Sequence, residues 1–237
     1  MPATSQETFV IRVAYSVCAA ALLTTPAAGL TAATPRDTLA QAAFSARDKA
    51  TALARIGQAQ AAVDAVLARA PADREARLLH AMAIGYRAKL NRSRGDAVEA
   101  GKQFAALAAA NPRDPEAQAA VGAWHLDAVT ALGGMMAGIA LGAKKAPGIA
   151  AMDRAVALGG DRAMFSGLSA LLRLALDAND TQAAALAEAA ARGTTPTALD
   201  QIMQRAAAAV LVPLRTGNTR AAADLAKQLL PFGRVKG

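Results

Sequence analysis

The chain is poor in aromatic residues, 3% in total, and holds a single cysteine, Cys18. One cysteine excludes a disulfide framework. Runs of β-branched residues are scarce, and alanine, which strands disfavour, supplies most of the 54% hydrophobic residues, so a β-rich fold is nearly excluded as well. That same hydrophobic share is far above what uncompacted chains carry, which argues against disorder. Acidic residues are the minority, 18 Asp and Glu against 26 Lys and Arg, for a formal charge of +8. Also missing are the usual marks of chemistry. No HExxH, GxSxG or GxxxxGK[ST] occurs, so metal-dependent or serine hydrolysis and phosphoryl transfer lose their signatures. What is present is an alanine-rich, basic, all-helical chain of 237 residues, long enough to bury a core and of a length that suits one domain or one continuous array.

The first residues stand apart. A polar start containing Arg12 leads into an apolar run from Val13 to Leu23, then Thr24, Thr25, Pro26 and a small-residue stretch in which Ala28 and Ala33 are candidate last residues of a leader. Residues 1–33 are therefore expected to be a signal peptide, or, as the alternative, an N-terminal anchor spanning from Val13 to Ala33, which Pro26 and Gly29 weaken. The expected location is periplasmic, or inner-membrane anchored and facing the periplasm. Residues 34–237 are expected to form the folded part.

That part is punctuated at near-regular intervals by Pro71, Pro112, Gly160, Thr195 with Pro196, and Pro231, which are 41, 48, 35 and 36 residues apart. A period of this size indicates a repeat array. Before each stop comes one short pattern: Ala59, Val63, Val66, Pro71; Ala100, Phe104, Leu107, Pro112; Gly148, Met152, Ala155, Gly160; Ala183, Ala187, Ala190, Thr195. Intervals of four and three place the apolar residues on one helical face, and the fourth position ends the helix. Gly217, Ala221, Leu225 and Pro231 give a looser last unit, as expected of a terminal repeat. The run NRSRG over Asn91–Gly95 predicts a lengthened turn between helices.

The pattern resembles the tetratricopeptide repeat over about residues 37–231, and the first helices agree, with Ala81 in ARLLHAMA and Gly122 in AQAAVGAW where that family places a small residue for close crossing. The resemblance implies an all-α solenoid of about five antiparallel helix pairs in a right-handed superhelix. The third unit, with Gly122, Trp124 and His125 followed by an apolar extension, is similar to bacterial relatives of the regulator of microtubule dynamics family, and more loosely to the tetratricopeptide proteins associated with TRAP transporters.

By that resemblance, the concave surface of the second and third units is the expected recognition site for a partner peptide or protein. Its candidates are Glu75, Leu78, Met82, Tyr86, Glu116, Ala119, Ala123, Leu126 and Asp127. The expected role is a non-catalytic scaffold or adaptor of the cell envelope, with no catalytic residue, no metal and no cofactor. The charge suits an acidic protein partner or the headgroups of a membrane surface. Nucleic acid is disfavoured by export and by the lack of stacking aromatics.

One segment distinguishes the chain from a generic array. Positions 128–143, AVTALGGMMAGIALGA, are uncharged for sixteen residues and carry Met135, Met136, Ile139 and Leu141. They could pack within the array, line a surface that faces a partner or lipid, or contribute to a span. If they roof a cavity near residues 132–141, the alternative function is a periplasmic carrier or transporter accessory for a small apolar or lipid ligand. Trp124 and His125 are neighbours in sequence, so one helix face cannot hold both, and they are not expected to form a single site.

Overall fold

The computed structural model describes residues 33–235. The expected leader, apart from Ala33, and Cys18 with it, lie outside the described residues. Eleven helices follow one another among them: α1 (Pro35–Phe44), α2 (Lys49–Leu67), α3 (Arg74–Asn91), α4 (Arg94–Ala110), α5 (Pro115–Leu132), α6 (Gly134–Leu141), α7 (Lys145–Gly159), α8 (Ala163–Leu176), α9 (Ala183–Arg192), α10 (Ala198–Arg215) and α11 (Thr219–Leu229). The fold is all-α.

The first five helices each begin on a side-chain cap, from Thr34, Asp48, Asp73, Ser93 and Asp114. Each cap satisfies a backbone N–H that the helix cannot, a contribution of about 1 kcal/mol. The stops fall where the punctuation predicts: α4 ends before Pro112, α7 before Gly160, α9 before Thr195 and α11 before Pro231.

Successive helices pack in pairs, α1 with α2, α3 with α4, α5 with α7, α8 with α9 and α10 with α11, and the first helices of successive pairs also touch one another. The repeated pattern is the pair contact. Ala59 and Val63, Ala100 and Phe104, Met152 and Ala155, and Ala183, Ala187 and Ala190 are all buried. Gly122 permits a close crossing, since a Cβ there would stand 2.6 Å from Met152 Cγ and 2.9 Å from its backbone nitrogen.

Two local expectations are corrected. Asn91–Gly95 forms no long turn: only Arg92, left-handed at φ 54°, and the cap Ser93 separate α3 from α4, and the extra residues lengthen the two helices instead. In the last unit, α11 buries Ala222, Ala223 and Ala226 rather than Gly217, Ala221 and Leu225, because Asn218 caps the helix and Gly217 is left in the turn. Within α7, Asp153 together with Asp180 holds the buried Arg173, at 2.6 and 3.1 Å.

The two ends of the array meet. α1 contacts α10, and the turn after α11 packs on α1, with the Phe232 N–H donating to the Ala43 carbonyl at 2.7 Å. Phe232 and Val235 thereby join the core formed by α1, α2 and α3.

Candidate functional site

At the starts of the first helices, charges of alternating sign are paired across the units. Arg36 of α1 bonds Glu75 of α3 at 3.0 Å and Glu116 of α5 at 2.8 Å. Arg162, capping α8, bonds Glu116 at 3.3 Å and Asp200 of α10 at 3.0 Å. Burial pushes the Asp200 carboxyl up, but hydrogen bonds from Arg162, Thr197 and Met164 more than offset this and hold it below the usual carboxylate range. Glu75 and Glu116, candidates for the recognition site, are thus engaged by the chain's own arginines.

The other groove candidates divide. Leu78, Ala119 and Leu126 are core residues, at 3%, 2% and 0% exposure, so they cannot supply the apolar contacts expected of them. Met82 and Ala123 are half-buried against the core. Tyr86 is covered on one side by the C-terminal turn, its ring edge-on to Phe232 with centroids 5.1 Å apart, and burial raises its hydroxyl pKa. Asp127 is tied to Lys89 at 2.5 Å. Counting from the repeat pattern missed these contacts, because Arg36, Arg162 and the terminal turn belong to other units than the residues they engage.

One surface left available lies around α4, α5 and α6. Gly133, at φ 77° and ψ 153°, occupies backbone space that L side chains avoid, and the chain bends there by 119°. Among the described residues no single helix is long and apolar enough to cross a membrane; α5 and α6 would be so together, but for this bend. α6 turns Ala137 inward and leaves Met135, Met136 and Ile139 at 79%, 54% and 72% exposure, next to Leu132 at 46%. Leu141 is half-buried against the small cluster of Ala128, Val129, Ala137 and Ala143. The four residues predicted in this segment therefore part company. Three point to solvent and roof no cavity, and only Leu141 faces the fold.

Beside Leu141 opens a cleft of about 300 Å³, walled by Val98, Gly101 and Ala105 of α4 and Val121, Trp124 and His125 of α5, with Lys102 at its side. Trp124 is pinned there by its indole N–H, which donates to the Ala97 carbonyl at 2.8 Å. A Cβ on Gly101 would stand 2.5 Å from the indole, so a glycine lets the ring lie against α4. The ring of His125 meets that of Trp124 edge-on at 4.9 Å, and both line the cleft. The expectation that the two would not share a site is overturned, since long side chains on adjacent positions can lean together over the neighbouring helix. His125 Nδ1 accepts the Lys144 backbone N–H at 3.2 Å, and burial first, then the Lys144 charge, lower its pKa. His80, by contrast, lies within 2.9 Å of Asp64 on α2, away from this cleft.

No group of three or more His, Cys, Asp and Glu residues able to hold a metal ion occurs among the described residues. Comparison with protein-family models, with curated proteins and with solved structures finds no match.

Proposed function

We propose that this chain is a non-catalytic interaction scaffold of the cell envelope, built in the manner of tetratricopeptide repeats, and that it recognises a protein segment on its outer α4–α5 face rather than in the concave groove. The observation that carries this reading is the open, mainly apolar cleft around Trp124, set beside a groove whose charges are already paired. The cleft is large enough for one or two apolar side chains of a partner. A tryptophan already held by a hydrogen bond to the neighbouring helix is a rigid anchor that loses little entropy on binding. Lys102 adds a cation at the wall, which favours an acidic residue next to the inserted side chain.

A photoreactive phenylalanine analogue in place of Ala105, which lines the cleft, is expected to yield protein adducts in intact envelopes, and Lys102→Glu to diminish them. The same analogue in place of Tyr86 is expected to give none. Adducts from position 86 but not 105 would return recognition to the groove, and absence of protein adducts from both would refute the scaffold reading.

A further inference from the structure

Among the described residues, six large hydrophobic side chains are exposed, and four of them, Leu132, Met135, Met136 and Ile139, lie at or on α6. Cations stand beside them. Lys144 and Lys145 follow α6 directly and are exposed, as are Arg92 and Arg94 at the α3–α4 turn. Arg94 lies against α6 itself, its Nε donating to the Ala140 carbonyl at 2.8 Å. None of these four cations is in an ion pair among the described residues, whereas nearby Asp96 and Asp127 are both paired, with Arg87 and Lys89.

We infer that α6 is a membrane-surface docking element that inserts Met135, Met136 and Ile139 into the interface of an anionic phospholipid bilayer while Arg92, Arg94, Lys144 and Lys145 meet its headgroups. Charge complementarity selects this occupant. An apolar face bordered by unpaired cations fits an interface that is apolar below and anionic above. Size points the same way, because eight residues at about 1.5 Å each make a helix of about 12 Å. That is too short to span a bilayer and too small to supply the ~800 Å² per partner of a stable protein interface, but enough to reach below the headgroups. The bend at Gly133 is what turns this face away from the core. The inference uses different residues from the Trp124 cleft and holds whether or not that cleft is filled.

The full chain is tested by co-sedimentation with phosphatidylcholine vesicles made with and without phosphatidylglycerol. Two double variants, Met135→Ser with Ile139→Ser and Lys144→Glu with Lys145→Glu, change only exposed side chains and are checked for fold by circular dichroism. Binding to phosphatidylglycerol vesicles is expected to fall about tenfold or more in each and to weaken with added salt in the wild type. To separate α6 from the apolar run of residues 13–23, a nitrobenzoxadiazole probe is attached at Ile139→Cys in a Cys18→Ser background. Its emission should shift to the blue on phosphatidylglycerol vesicles and be quenched by brominated acyl chains. Vesicle binding unchanged in both variants, or a probe that stays in water on bound protein, overturns the inference. So does concentration-dependent self-association that the serine variant abolishes, since a second copy would then be the occupant. None of these outcomes bears on the adducts expected from position 105.

Discussion

Replacement of Asp200 by asparagine tests whether the charge ladder at the helix starts holds the array together. The side chain has no exposed surface. Its Oδ1 accepts the Met164 N–H at 3.0 Å, and its Oδ2 accepts Arg162 at 3.0 Å, the Thr197 N–H at 3.1 Å and the Thr197 hydroxyl at 2.6 Å. An amide has one acceptor oxygen, so in either orientation its NH₂ must face a group that donates. Breaking a buried ion pair from one side costs about 3–5 kcal/mol, but Arg162 keeps Glu116 and is partly solvated, so the expected loss for Asp200→Asn is about 2–3 kcal/mol. Urea unfolding followed by circular dichroism measures it. The pH dependence gives a second check. Because the folded carboxyl titrates below its unfolded value, its contribution is complete above about pH 4 and is lost as pH falls from there through the folded pKa. The gap between wild type and variant should therefore narrow in acid. Equal urea midpoints at neutral pH, or a gap that persists in acid, would refute the reasoning.

Two further outcomes test the packing. Gly122→Ala should cost about 1–3 kcal/mol, since the added methyl meets the Met152 backbone as well as its side chain, while Gly57→Ala, which meets nothing within 4 Å, should gain about 0.5–1 kcal/mol; urea midpoints that move together would show that the α5–α7 crossing is not close. Phe232→Ala removes the ring that joins the C-terminal turn to Tyr86 and α1 and should cost about 2–4 kcal/mol in thermal or urea unfolding. A variant as stable as wild type would mean that the two ends of the array are not joined through this contact.

The parts of the fold legible in the sequence are those fixed by neighbours a few residues away. The Pro and Gly stops, the four-and-three spacing of Ala59 and Val63 or Ala100 and Phe104, and the small residue at Gly122 all express contacts within one pair or with the next. The site was less legible because it depends on contacts that the repeat does not encode. Arg36 reaches Glu116 across 80 positions, and Phe232 reaches back to Tyr86. Each takes a residue that the pattern assigns to an open groove and commits it internally. The Trp124 cleft had one available signal, Gly101 in the middle of α4, whose missing side chain makes room for the indole.

The α6 segment was ambiguous for a different reason, and the ambiguity is itself informative. GMMAGIAL is apolar on every side, so periodicity cannot say which face turns inward. Size settles it in the opposite sense from a core helix. The small residue Ala137 is buried, since α6 lies close upon its neighbours, and Met135, Met136 and Ile139 are left outside. Full burial of side chains of this size is worth about 1.5–3 kcal/mol each, and this fold forgoes most of it at three positions of one short helix. Elsewhere the same chain covers nearly every large apolar group, down to Phe104 and Phe165 in its pair contacts. An exposed face that runs against that habit, bordered by cations in no ion pair among the described residues, is stabilised when something apolar and anionic lies on it, and that requirement is the physical content of the membrane-docking inference.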